Sequence, residues 1–145
     1  MSLLAEYRAC QDPFAQGVLD RLLSTLCRHT QANTFHVSEA AQAMATSLGK
    51  GDLRQYDWNT QVKKLGDVGR KIFAWDHFVT VFELRRALDE LATPTEASVR
   101  AILSRSSVAW ILKTEDKSLD ALGYRSRRPD PHYAYTAAGI RLLKY

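Results

Sequence analysis

The sequence predicts an α+β protein that is mainly helical and carries small β-hairpins. Apolar residues recur every three or four positions in several stretches, most clearly over 13–30, and this is the spacing of amphipathic helices. Residues 71–82 are rich in aromatic and β-branched side chains, which favour strands. Residues 124–135 read YRSRRPDPHYAY, so aromatic edges flank three arginines and a Pro-Asp-Pro turn. That pattern predicts a basic β-hairpin.

The first 50 residues are predicted to hold two helices around a short strand. Asp12 is a candidate N-cap for a helix over 13–30. A short extended piece over 34–37 follows, and Ser38 then caps a second helix that ends at Gly49. The apolar stripe of the first helix consists of Phe14, Val18, Leu19, Leu22, Leu23 and Leu26.

The middle of the chain is predicted to form a basic helix, a hairpin and a further helix. Asp57 is a candidate cap for the basic helix over 57–69. The two strands of the hairpin are expected over 71–75 and 77–82. Residues 83–92, ELRRALDELA, consist of helix-forming residues with leucines and alanines on one face, and they predict the next helix.

Capping signals divide the last third of the chain. Residues 93–96, Thr-Pro-Thr-Glu, form a capping-box pattern with proline at the first helical position, so a helix is expected to start there. The apolar run 108–112 fits either a buried strand or a continuation of that helix. Residues 114–116 cap a short helix that Gly123 ends, and Thr136 caps a last helix after the basic hairpin.

Two segments carry a resemblance to winged-helix proteins. Residues 133–143, from Tyr133 to Thr136 and Gly139, resemble the Y-x-L-T-x-x-G-x-x-L close of many winged-helix transcription regulators, although Tyr135 replaces the usual aliphatic residue. In that family the tyrosine lies on the returning strand of the wing, and the threonine caps the final helix. Residues 65–72, with the shape L-x-x-x-G-x-x-I, resemble the end of a recognition helix. The resemblance implies a winged-helix fold.

The helix, glycine and hairpin order occurs twice, first around Leu65 and Gly69 and again around Leu119 and Gly123. Two fused winged-helix-like units would explain this repetition. Residues 1–82 would then form a helical unit with the first wing, and residues 83–145 a second helical unit with the basic wing. A single compact domain over 1–145 is the alternative, since this length suits one domain with a real core.

The positive charge is concentrated in the last third of the sequence. The formal net charge is +4, yet residues 101–145 hold eight basic and four acidic residues while the first 100 are balanced. A local surplus of this kind can form a phosphate-binding face. We therefore expect a non-catalytic double-stranded DNA-binding protein, acting as a small regulator or accessory factor. The alternative is a winged-helix protein–protein interaction module that does not bind nucleic acid.

Three groups of residues are candidates for these contacts. Arginines at the tip of the basic wing and basic residues on or after the 57–69 helix would contact phosphates, and two polar residues of that helix would read bases. Trp75 and Phe78, near the turn of the first hairpin, would form a partner-binding surface. Solvated surface positions, or a pair between an arginine and Asp130, are the alternatives. The nucleic-acid candidates are Arg125, Arg127, Arg128, Lys63, Lys64, Arg70, Lys71, Asn59 and Gln61.

Other functional classes find little support in the sequence. It contains no G-x-S-x-G, Walker, H-E-x-x-H or G-x-G-x-x-G motif, so no catalytic residue, cofactor or metal site is predicted. No apolar run approaches the roughly 20 residues of a membrane span. Cys10 and Cys27 are expected to be free thiols of a cytoplasmic protein. If the protein forms a homodimer, the contact is expected on the first long helix or on helix 83–92.

Overall fold

A three-stranded sheet lies at the centre of the computed structural model, which describes residues 3–29 and 34–144. The strands are β1 (Thr34–Val37), β2 (Phe73–His77) and β3 (Ser107–Leu112), in the spatial order β1-β3-β2. Strand β3 runs parallel to β1 and antiparallel to β2. The mixed α+β class is therefore confirmed, and strands from both predicted units share one sheet.

Strand β3 is central because its sequence, SVAWIL, is apolar on both faces. Ala109 and Ile111 point to one face of the sheet, where they pack with Tyr135. Trp110 points to the other face and packs with Phe73. The run over 108–112 is thus a strand rather than a continued helix.

Helices surround the sheet, and one of them begins at its predicted cap, Ser38. The helix predicted to start at Pro94 begins two residues later, after Thr95, and the helix predicted to start after residues 114–116 already begins at Lys113. Ser38 accepts from Ala41 N–H at the start of α3 (Glu39–Ser47), and Thr95 and Ser98 form the capping box of α5 (Glu96–Leu103). Short turns of other helix types, Leu53–Gln55 and Gln61–Leu65, follow α3. The α-helices are α1 (Leu3–Ala9), α2 (Pro13–His29), α3 (Glu39–Ser47), α4 (Val81–Asp89), α5 (Glu96–Leu103), α6 (Lys113–Ala121) and α7 (Pro131–Ala137). None of the described helices is long and apolar enough to cross a membrane.

A third part of the core lies between helices α2 and α4, away from the sheet. Leu23 and Cys27 from α2 pack against Leu84 and Leu88 from α4. The apolar face of α4, which was a predicted dimer contact, is therefore buried within the same chain. The predicted stripe of α2 is only partly right, because Leu22 is 49% exposed.

The predicted hairpin over 71–82 is wrong. Trp75, Asp76 and His77, where the hairpin was expected to turn, continue strand β2 and pair with β3. The chain then enters α4, because the Thr80 side chain accepts from Glu83 N–H and caps this helix. The first predicted wing therefore does not form. The basic helix over 57–69 is also shorter than predicted, since only Gln61–Leu65 is helical and Gly66 ends it with a φ of 82°.

The predicted basic hairpin over 124–135 is wrong as well. Asp130 accepts from Tyr133 N–H and caps α7, and Pro131 occupies its first turn. Tyr135 lies in this helix rather than on a returning strand, and Thr136 is near the end of α7 rather than at the start of a helix. The residues that the structure describes contain neither wing, so a winged-helix type is not confirmed.

Candidate nucleic-acid interface

A cleft of about 230 Å³ opens where the end of β2 meets the start of α4. Helix α2, strand β2, the first turn of α4 and the segment after α6 each contribute side chains to it. The loop after α6 thus reaches the cleft even though it forms no hairpin. The lining residues are Arg28, Asp76, His77, Thr80, Val81, Phe82, Arg125 and Ser126.

Arg128 lies inside the protein and anchors the segment that borders the cleft. Its side chain is 1% exposed, and its Nη1 donates to Asp76 Oδ2 at 2.6 Å and to the His77 carbonyl at 3.0 Å. Its Nε donates to the carbonyl of Tyr124, and its main-chain N–H donates to Glu83. The prediction that Arg128 contacts phosphate at a wing tip is therefore wrong, because the wing is absent and the guanidinium is used for this internal ion pair.

Asp76 is the acidic residue of the cleft, and its charge is directed inward. The hydroxyl of Tyr135 donates to the same Oδ2 at 2.5 Å. Burial and the nearby Asp76 raise the pKa of Tyr135 well above its ordinary value, so this hydroxyl stays protonated and keeps donating. Burial, followed by the charge of Asp76, also raises the pKa of Asp116 on α6. The positive charge of Arg128 neutralises the negative charge of Asp76. The outward-facing arginines therefore determine the net charge of the cleft.

Arg125 and Arg127 are both exposed; Arg125 lines the cleft, and Arg127 lies against the lining residue Phe82. The Thr80 hydroxyl donates to the carbonyl of Ser126 at 2.7 Å, which ties the segment between them to the start of α4. The guanidinium of Arg127 lies 5.1 Å from the ring centroid of Phe82. Arg125 is 3.9 Å from Asp120, but both side chains are exposed, and such a pair is weak.

Arg28 completes the positive rim from the end of helix α2. Within the described residues it makes no ion pair. Burial lowers the pKa of the neighbouring His77, and Arg28 contributes to this shift while Asp76 opposes it. His77 is therefore neutral at pH 7, and the positive charge of the cleft comes from arginines. Planar guanidinium groups of this kind bind phosphate through paired N–H donors.

A second basic surface lies before β2, although not as the helix that was predicted. Lys63, Lys64 and Lys71 are exposed, as is Asn59. Arg70 is partly buried, and its guanidinium carbon lies 3.7 Å from the ring centroid of Trp58.

Gln61, predicted to read bases, is fully buried. Its amide donates to Asp67 Oδ2 at 2.8 Å and to the Phe73 carbonyl at 2.9 Å. The base-reading prediction for Gln61 is wrong because these internal bonds occupy its amide.

The predicted partner surface is largely internal. Phe78 is 4% exposed, with its ring 4.0 Å from that of His36 and 5.0 Å from that of Tyr135. Trp75 is partly buried and packs edge-on against Trp110 at 4.7 Å. The prediction of an exposed Trp75 and Phe78 patch at a hairpin tip is wrong because both residues belong to the sheet or its immediate continuation.

Comparisons with family models, curated proteins and solved structures found no match.

Sequence reasoning missed Arg28, Asp76 and His77 as cleft residues. The available signal was the pair Asp76 and His77, which places two polar residues at the end of an otherwise apolar strand. Within the described part of the chain, no group of three or more histidine, cysteine or acidic side chains is placed to hold a metal ion.

Proposed function

We propose that the protein binds nucleic acid through phosphate contacts at this cleft, without a catalytic step, as a small regulator or accessory factor. The observation that carries the proposal is that arginines from separate segments border one cleft while its acid is already paired. Arg28 comes from α2, and Arg125 and Arg127 come from the loop after α6. The predicted duplex contacts relied on a wing that does not form. The expected ligand is therefore the phosphate backbone, of either a single strand or a duplex.

The physical basis is counterion release. Each phosphate that an arginine neutralises frees condensed cations, so binding weakens linearly with the logarithm of the salt concentration. The slope is about 0.7 to 0.9 per contact. Removing both Arg125 and Arg127 should therefore reduce the slope by about 1.4 to 1.8. The folded structure should be unaffected, since both side chains are exposed.

Fluorescence anisotropy with labelled DNA, titrated over about 50 to 200 mM salt, tests the proposal. Arg28→Ala and the double variant Arg125→Ala/Arg127→Ala should weaken binding and reduce its salt slope. Arg100→Ala is the matched control, because Arg100 is also exposed but lies on α5 and pairs with Glu96. Absence of binding at low salt would contradict the proposal, as would cleft variants that behave like Arg100→Ala.

A further inference from the structure

Trp58 presents an unusually open aromatic ring in a basic part of the surface. Its side chain is 45% exposed, although tryptophan usually buries most of its area. The guanidinium carbon of Arg70 lies 3.7 Å from the ring centroid, and Arg70 Nη2 donates to the Trp58 carbonyl at 3.2 Å. A cation therefore stacks on the indole, and nearly half of the surface of Trp58 is still accessible to solvent.

The turn that carries Trp58 is held by its own hydrogen bonds. The N–H of Thr60 donates to Asp57 Oδ1 at 2.8 Å, and the N–H of Asp57 donates to the Thr60 hydroxyl at 2.8 Å. Because these bonds fix the backbone on both sides of Trp58, little conformational freedom remains to be lost when a ligand binds.

Asp67 holds the other half of this surface in place. Its buried carboxylate accepts from the N–H groups of Lys71, Ile72 and Phe73 and from the Gln61 amide. Burial alone would raise the pKa of Asp67, but these hydrogen bonds outweigh it and lower the pKa. The loop that carries Arg70 and Lys71 is thus built around a buried charge.

Arg70 adopts a backbone conformation that its side chain does not favour. Its φ is 52°, and it is the only residue other than glycine with a positive φ in the described part of the chain. This conformation costs about 1 to 2 kcal/mol for a residue with a Cβ. The fold retains it at the position that stacks a guanidinium on Trp58.

The surroundings of Trp58 carry a positive surplus. Residues 50–71 contain six basic and three acidic residues. Of the acids, Asp67 is buried in its hydrogen-bond network, and Asp52 pairs with Arg54 at 3.1 Å. Lys63, Lys64 and Lys71 are exposed. Asp57 is exposed, and the pairing of Asp52 with Arg54 cancels one acid against one base, so the surface remains positive through the surplus of basic residues.

We infer that the Trp58 surface, formed by Trp58, Lys63, Lys64, Arg70 and Lys71, binds single-stranded nucleic acid by stacking an unpaired base on the indole. In a duplex, neighbouring base pairs cover the base faces, so only an unpaired base offers a face to Trp58. Base stacking on an aromatic side chain tolerates any sequence, and lysines nearby neutralise the backbone. This inference rests on the proposed function and defines its ligand as single-stranded.

The two basic surfaces lie at opposite ends of β2. The Trp58 surface precedes Phe73, and the cleft begins at Asp76 and His77. Successive strand residues rise about 3.3 Å, so β2 itself is about 13 Å long. We expect one strand of nucleic acid that spans this length to contact both surfaces.

The test compares Trp58→Ala with Trp58→Phe in anisotropy assays. The probes are an oligothymidine of about 20 nucleotides and a duplex of the same length. Trp58→Ala should weaken binding of the single strand about 5- to 100-fold and leave duplex binding nearly unchanged. Trp58→Phe should restore most of the affinity, because phenylalanine keeps a stacking face. Phe14→Ala is the matched control, since Phe14 is also an exposed aromatic residue, on α2.

The outcomes separate this inference from the proposed function. If single strand and duplex bind equally and Trp58→Ala has no effect, the inference is wrong while the cleft proposal stands. If neither probe binds at low salt, both are wrong. If Trp58→Ala abolishes binding of an acidic peptide such as polyglutamate but not of oligothymidine, the surface recognises protein and the inference is overturned. Thermal unfolding of each variant verifies that the loop remains folded, and Trp58→Phe decides the question if Trp58→Ala does not fold.

Discussion

Replacing Arg128 should destabilise the protein far more than replacing the arginines beside it. Arg128→Met removes a buried guanidinium and leaves Asp76, itself 14% exposed, without its cation. Removing one partner of a buried ion pair costs about 3 to 5 kcal/mol. Asp76 keeps the hydrogen bond from Tyr135 and some access to water, so the lower end, about 3 kcal/mol, is expected. Total stabilities of about 5 to 15 kcal/mol make this a large loss.

Urea unfolding followed by circular dichroism measures this loss. Arg125→Ala and Arg127→Ala are matched controls in the same segment, and their exposed side chains predict changes within about 0.5 kcal/mol. The double variant Asp76→Asn/Arg128→Met removes the uncompensated charge as well. It should therefore be more stable than the sum of its two single variants predicts, by about 0.5 to 3 kcal/mol.

Two results would refute this account of Arg128. The first is a urea midpoint for Arg128→Met equal to that of Arg125→Ala, which would mean that the buried pair contributes no net stability. The second is strict additivity of Asp76→Asn and Arg128→Met, because residues joined by a 2.6 Å ion pair should be energetically coupled.

Further predictions concern the two faces of α2, the Asp67 network and the pH dependence. Leu23→Ala should cost about 2 to 4 kcal/mol in urea unfolding, whereas Leu22→Ala should cost less than about 1 kcal/mol, because only Leu23 is buried. Asp67→Asn replaces one carboxylate oxygen by an amide N–H₂ group, which then faces two of the four N–H donors that now bind the carboxylate. The free energy of unfolding should decrease by about 2 to 5 kcal/mol. Burial lowers the pKa of His77 below 6.5, so the unfolded chain binds the proton more tightly than the folded protein does. The free energy of unfolding should therefore decrease as the pH is lowered through about 6.5. His77→Gln should reduce that loss in thermal unfolding between about pH 5 and 8, and part of the loss should remain because burial also lowers the pKa of His36.

Local signals in the sequence predicted much of the helical structure. Ser38 caps its helix as expected, because capping depends on the few residues that follow the cap. The helix predicted to start at Pro94 exists, but its cap is Thr95, so it begins two residues later than predicted. The apolar run 108–112 forms the central strand, and its two alternatives were separated only by the pairing with β1 and β2.

The hairpins were mispredicted because strand pairing is not local. Strand β2 has the composition of a strand, but its partner begins at Ser107, far along the chain. Asp130-Pro131 likewise suits either a turn or the start of a helix, since aspartate is an N-cap and proline fits the first helical turn. When 131–137 is helical, Tyr135 is buried against Phe78 and the sheet. No local sequence pattern contains that contact.

Arg128 was mispredicted for the same reason, because its acidic partner lies far away in the sequence. Arg128 is separated from Asp76 by 52 residues, so its sequence neighbours gave no sign that it would be buried. Exposure of Arg125 and Arg127, by contrast, needed only a loop, and both side chains are exposed; their contact with nucleic acid stays a prediction. Counting charges over long stretches also concealed the surplus of residues 50–71, because acids further along the chain balance it.

Both basic surfaces follow one arrangement, in which a carboxylate with internal partners organises a loop whose cations face outward. Asp76 binds Arg128 beneath the cleft, and Asp67 binds main-chain N–H groups beneath the Trp58 surface. In each case the negative charge makes internal contacts, so the nearby exposed cations are not paired with that acid. A ligand with a continuous line of phosphates along β2 would use both surfaces together. Combined cleft and Trp58 variants should then lose more affinity for a long single strand than for one too short to reach both.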